Sequence, residues 1–212
     1  MDVRVALLPL LLLVGCEKPS RRALDLELVR ITGEGKLRTD VIGDNITETA
    51  TFVLVDAENT SKDGAYVTLA GDLADAAGVP VADFKASSLW IPAGESRTFA
   101  LVDRERRPRP TAVAAKIVVR SATIPDQPPP ADVDQIREIE DDGKLVVQGM
   151  LHNRAPRRGQ IVVIASFHAA DGRPMTRPFS ILRVQPGTDQ SVQFVSPPGA
   201  KHGTIYVGEM SY

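Results

Sequence analysis

Two tandem antiparallel β-sandwiches, in an all-β chain, are what this sequence predicts, and three observations predict them. The chain carries 16 glycines and 16 prolines but only 5% aromatic residues, a composition of many turns rather than long helices. Its apolar residues gather in short, β-branched runs with no sustained 3.6-residue period. Two of those runs, 51–55 and 144–148, each lead to an asparagine, and these two, Asn59 and Asn153, stand 94 positions apart.

Internal repetition at a fixed offset marks duplicated units. At this offset Leu69 meets Val163, Leu73 meets Phe167, Gly78-Val79-Pro80 meets Gly172-Arg173-Pro174, and Ile91-Pro92 meets Gln185-Pro186. After a one-residue deletion, Gly94 pairs with Gly187, Phe99 with Val192 and Leu101 with Phe194. An insertion, residues 103–110, belongs to the first copy alone, and the final runs 115–119 and 203–207 then come back into line.

The elements follow in order from the amino terminus. Residues 5–15 are apolar, interrupted only by Pro9 and preceded by Arg4, and Glu17, Lys18, Arg21 and Arg22 close the run. That length is about half of the roughly 20 residues a spanning helix needs, so the run is expected to act as an export signal over residues 1–15. An ordinary secretory signal and a buried segment of a cytosolic protein are the alternatives. Residues 16–23 form a short spacer, and residues 24–122 the first sandwich, whose first strand is expected at 24–31. Runs 66–70 and 160–164 are rich in β-branched residues and end in turns carrying Gly78 and Gly172, where a reversal needs positive φ. Gln185-Pro186-Gly187 suits a type II turn, and 191–195 alternates polar and apolar residues as a half-buried strand does. Pro125, Pro128, Pro129 and Pro130 mark residues 123–134 as an extended linker, after which residues 135–212 form the second sandwich.

Two resemblances attach to these residues. Leu13-Val14-Gly15-Cys16, which holds the chain's only cysteine, resembles a bacterial lipobox. The resemblance implies a diacylglyceryl thioether on Cys16, cleavage just before it and acylation of the new amino terminus. It therefore implies a cell-envelope lipoprotein whose partner is the membrane, reached through that lipid. A single acyl chain anchors marginally and further chains make anchoring stable. Glu17, rather than an aspartate, after the cysteine implies the outer membrane, facing the periplasm, over the inner membrane. The second resemblance covers each copy. The order of apolar strand, closing asparagine, second strand, Gly-x-Pro turn, strand ended by proline and glycine, and alternating strand looks like the immunoglobulin-like modules of the FxLYD-type group in envelope lipoproteins. It implies a two-sheet core in each copy.

Catalytic and cofactor motifs are sparse. His152, His168 and His202 all lie in the second copy, without the short spacings of a zinc site. No G-x-S-x-G occurs, and the serines are scattered singly. Asp132-Val133-Asp134 begins a calcium-loop pattern that fails at Ile136, and the nearby Glu138, Glu140, Asp141 and Asp142 suit a solvated, charge-guarded edge. Asn45-Ile46-Thr47 and Asn59-Thr60-Ser61 match a glycosylation sequon that carries no weight in a bacterial chain. No cofactor or metal is expected. With a formal net charge of −2 and no aromatics among its basic runs, the chain is not expected to bind nucleic acid. The insertion is the exception in charge: Arg104, Arg106, Arg107 and Arg109 form a candidate contact for an anionic partner, an envelope protein or an envelope polymer. The expected function is a non-enzymatic binding or assembly module at a membrane. An envelope enzyme or accessory subunit using His152 and His168, and a structural spacer, are the alternatives.

Overall fold

A computed structural model describes residues 21–42 and 48–212. The 1–15 signal, Cys16 and the first sequon lie outside the described residues. The first half runs β1 (Arg21–Ala23), β2 (Val29–Glu34), β3 (Arg38–Val41), β4 (Thr49–Asn59), β5 (Ala65–Ala74), β6 (Pro80–Asp83), β7 (Ser87–Ile91), β8 (Ser96–Val102) and β9 (Ala114–Pro125). The second half runs β10 (Ala131–Asp141), β11 (Lys144–Asn153), β12 (Gly159–His168), β13 (Pro174–Thr176), β14 (Phe179–Val184), β15 (Asp189–Val195) and β16 (His202–Ser211). Every pairing among the described strands is antiparallel, and the fold is the expected all-β sandwich.

Apart from β1, and with β10 standing where β2 and β3 do, the halves repeat one topology. β4 pairs β2 and β3 along one edge and β8 along the other, as β11 pairs β10 and β15. In the facing sheet, β5 pairs β6, β7 and β9, as β12 pairs β13, β14 and β16. The register is shared as well: Leu69 faces Val119 and Gly71 faces Ile117, while Val163 faces Val207 and Ala165 faces Ile205. Between the sheets lie Val53, Leu69, Leu73, Phe99 and Leu101 in the first half, and Val147, Val163, Phe167, Val192 and Phe194 in the second, all buried. Each such side chain taken from water contributes roughly 1.5–3 kcal/mol.

The repeated asparagines explain why the strands end where they do. Asn59 donates through Nδ2 to the carbonyl of Ile91 at 3.1 Å, and its Oδ1 accepts from the Ser61 N–H at 3.1 Å. Asn153 donates to the carbonyl of Gln185 at 2.7 Å and accepts from the Ala155 N–H at 3.2 Å. Both are buried and tie the end of one sheet to the other. Gly78 and Gly172, with φ of +79° and +78°, make the matching turns.

Three local expectations change. The expected strand at 24–31 is broken by a 3-10 turn, Leu26–Leu28, capped by the Asp25 carboxylate on the Glu27 N–H. The expected spacer contains β1, which adds to the edge of β9. The stretch 123–134 is mostly strand: β9 continues to Pro125 and β10 opens at Ala131, leaving only 126–130 between them. Proline is tolerated there because Pro125 is the last residue of its strand.

The halves pack on each other through non-equivalent faces. On the first half it is the outer face of the β4–β8 sheet, where Asp56 meets His168 and the Thr98 carbonyl accepts from Arg177 and Tyr206. On the second it is the outer face of the β12–β16 sheet, from which Val162, Ile164 and Tyr206 join the first half's core. The Tyr206 hydroxyl donates to the Thr98 carbonyl at 2.6 Å, and the Arg97 guanidinium stands 5.0 Å from the centre of the Tyr206 ring. The approach is close enough that a Cβ on Gly35 would sit 3.0 Å from the carbonyl oxygen of Pro174.

Candidate functional site

Where that packing leaves the β4–β8 face uncovered, a groove of about 1010 Å³ opens between the halves. Its floor is apolar: Phe52, Leu54, Ala100 and Val102 from the first half, Phe179 and Met210 from the second. These positions alternate with core positions along their strands, so β4 is apolar on both faces, the pattern of a strand covered twice.

The rim carries the charge. Arg38, Lys85, Arg106 and Arg177 line the groove, with Asp40, Asp103 and Glu209. The Arg38 guanidinium lies 4.9 Å from the centre of the Phe52 ring, a cation–π contact. Arg177 donates through Nε to the Thr98 carbonyl at 2.7 Å. Arg106 meets Glu48 at 3.0 Å. The Asp40 carboxylate accepts from the neighbouring Val41 N–H at 2.8 Å.

The arginine insertion turns mostly inward on itself. Asp103 is buried and organises it, accepting from the Arg107 N–H at 3.0 Å and from Arg109 Nε at 2.9 Å. Arg109 also reaches Glu105 at 2.7 Å, and its backbone N–H donates to the Thr51 hydroxyl at 2.7 Å. The bond to Asp103, then that to Glu105, pushes the guanidinium pKa above its ordinary value. Arg104 faces Asp83 at 3.5 Å and Arg107 faces Glu105 at 3.8 Å, both largely exposed. Four guanidiniums thus stand beside four carboxylates of the same chain. Of the four, only Arg106 lines the groove; Arg109 is a structural tie.

The histidines do not come together. His152 lies on β11 between two carboxylates, Nε2 at 2.8 Å from Asp134 and Nδ1 at 2.7 Å from Asp189. Those bonds, Asp134 first, raise its pKa above the ordinary imidazole value. His168 is on the other sheet and crosses between the halves: Nε2 is 3.1 Å from Asp56 Oδ2, while the Thr98 hydroxyl donates to Asp56 Oδ1 at 2.5 Å. His202 is exposed, 4.0 Å from Glu138. Among the described residues no three His, Cys, Asp or Glu side chains gather as a metal site would require, and no helix there is long and apolar enough to cross a membrane.

Arg38, Lys85 and Arg177 went unsuspected because the groove is assembled from strands far apart in the chain, and no local spacing connects them. The one available signal was the continuous apolar run at 52–55, which is longer than a strand exposed on one face requires.

No protein-family model matches the chain, and no curated protein does. Among solved structures, it is similar to a DUF1425 family member from Shewanella sp. pv-4, with 18% identity and a TM-score of 0.35 over 37% of this chain and 77% of that one.

Proposed function

We propose that the chain is a lipid-anchored envelope lipoprotein that works as a non-enzymatic binding or assembly module, with the groove between its halves as the contact surface. The observation that carries this reading is the groove itself: about 1010 Å³, apolar at its floor and cationic at its rim, built from both sandwiches. Its volume lies at the upper end of small-molecule pockets, which run to roughly 1,000 Å³, and its open shape suits a segment of a larger partner. The lipobox-like run supplies the tether, with acyl chains on Cys16 holding the module at a membrane without any protein insertion. The likeness to FxLYD-type envelope modules is in keeping with that setting.

Two measurements test it. Labelling with a palmitate analogue should mark the native chain and not Cys16→Ser. In-cell crosslinking of the intact chain should then recover one dominant partner that is lost when Arg38, Lys85 and Arg106 are each replaced by Glu. Recovery of no specific protein from either version would overturn the binding reading.

A further inference from the structure

The outer edge of β14 adjoins the groove, and it is less guarded than the edges of β10 and β8. Sheet edges carry unpaired N–H and C=O groups, and proteins blunt them with charge, bulges or a covering element. β10 is blunted by a bulge between Asp134 and Arg137 and by a row of charges. On β8 the Thr98 carbonyl is taken by Arg177 and Tyr206. β14 carries Arg183 as its one charge; it pairs β12 over six residues without a register shift, and no described strand lies on its other side. It holds no acidic residue and no internal proline, and it turns Phe179 and Ile181, 37% and 54% exposed, away from the core. By sheet register Ile181 corresponds to Ser88 of β7, and Phe179 to the position just before that strand, Ala86, so the duplicated fold does not need large apolar residues there.

We infer that β14 receives an extended, acidic polypeptide segment of a partner as an added antiparallel strand, whose carboxyl-terminal end enters the groove. This rests on the binding reading above and names the partner's chemistry. Antiparallel addition, the mode of every pairing among the described strands, runs the segment from Val184 toward Phe179, which lines the groove. Main-chain hydrogen bonds supply affinity, and alternate side chains cover Phe179 and Ile181. The acidity follows from the charge left over. Within the lining, Asp103 is satisfied by Arg109 and Arg106 by Glu48. Arg38, Lys85 and Arg177 remain against Asp40 and Glu209, and Arg183 adds an exposed cation on β14 itself.

The test is selection of a randomised peptide library on the complete lipidated chain in detergent micelles. Enriched peptides should alternate apolar residues and end in aspartate or glutamate. Carrying benzoylphenylalanine in place of Ile181, the chain should crosslink them, whereas the same probe at Val118, an exposed strand position on the first half, should not. Methylating alternate backbone nitrogens of an enriched peptide should weaken binding at least about tenfold, the loss of some 1.4 kcal/mol. No enrichment, enrichment of basic peptides, equal crosslinking at both positions, or indifference to N-methylation would each overturn the inference. The cellular partner distinguishes its failure from failure of the broader reading. A partner retained by Ile181→Glu but lost with the Arg38, Lys85 and Arg106 replacements leaves the groove as a binding site and removes strand addition.

Discussion

The two sandwiches share topology, register and asparagine ties, and they differ on their outer faces. On the β4–β8 sheet the first half places Leu54 and Ala100 where the second half's β11–β15 sheet has Gln148 and Gln193, whose amides bond each other at 3.2 Å. On the other sheet the second half places Ile164 and Tyr206 where the first has Ala70 and Val118. Tyr206 is 2% exposed and Val118 56%. The faces with the larger apolar side chains are the two that meet; Gln148 with Gln193, and Ala70 with Val118, lie outside that contact. A packing of non-equivalent faces is heterologous, and repeated between copies it would build a ring or an open filament. The substitutions at these four paired sites confine it to a single contact within one chain. The same contact creates the groove, so the divergence of the copies is also the origin of the candidate site.

The largest break in this comparison is Tyr206→Ala, expected to cost about 3–5 kcal/mol in denaturant unfolding. Val118→Ala at the equivalent position should cost under about 0.5 kcal/mol. Similar costs for both would mean that the halves do not share a core. Next come the asparagines. Asn59→Ala and Asn153→Ala each strand a carbonyl, and each should cost about 1–3 kcal/mol; a large difference between them would argue against equivalent roles. Leu54→Gln, which copies the second half's residue into the contact, buries an unpartnered amide. It should cost about 1–3 kcal/mol, with Gln148→Leu nearly neutral in stability.

Two smaller effects sharpen the picture within the second half. The Ser166 hydroxyl is buried and is the one such group among the described residues without a hydrogen-bond partner. Ser166→Ala should therefore raise stability by about 1 kcal/mol. His152, with its folded pKa raised by Asp134 and Asp189, contributes stability that is complete below the unfolded imidazole value of about 6.5. That contribution is lost as pH rises through the folded pKa. Thermal melts of native protein and His152→Gln should accordingly differ most in mild acid and converge above neutrality. A constant difference across pH would remove the ionic role of His152.

Much of the fold was readable one residue at a time. Period-two runs, Gly78 and Gly172 at positive φ, and the spacing of Asn59 and Asn153 each follow from local chemistry, and a duplicated chain shows that chemistry twice. The site was less accessible. Of the four arginines singled out, one lines the groove, because whether a guanidinium is free depends on which carboxylates the fold brings beside it. Asp83, at the end of β6, reaches Arg104, and Glu48, just before β4, reaches Arg106. Similarly, the prolines at 125–130 suggested a separating linker, whereas the apolar faces of Leu54 and Tyr206 draw the halves together.

The sequence by itself determined the all-β class, the two-fold repetition, the turns, and the residues expected between the sheets, since alternation and backbone sterics act over a few neighbours. Only the tertiary structure decided which outer faces meet, which charges are paired, that a groove lies between the halves, and that the edge of β14 is open beside it. Those outcomes depend on distances between residues far apart in the chain, such as Asp56 and His168, 112 positions apart, and no local pattern encodes such distances.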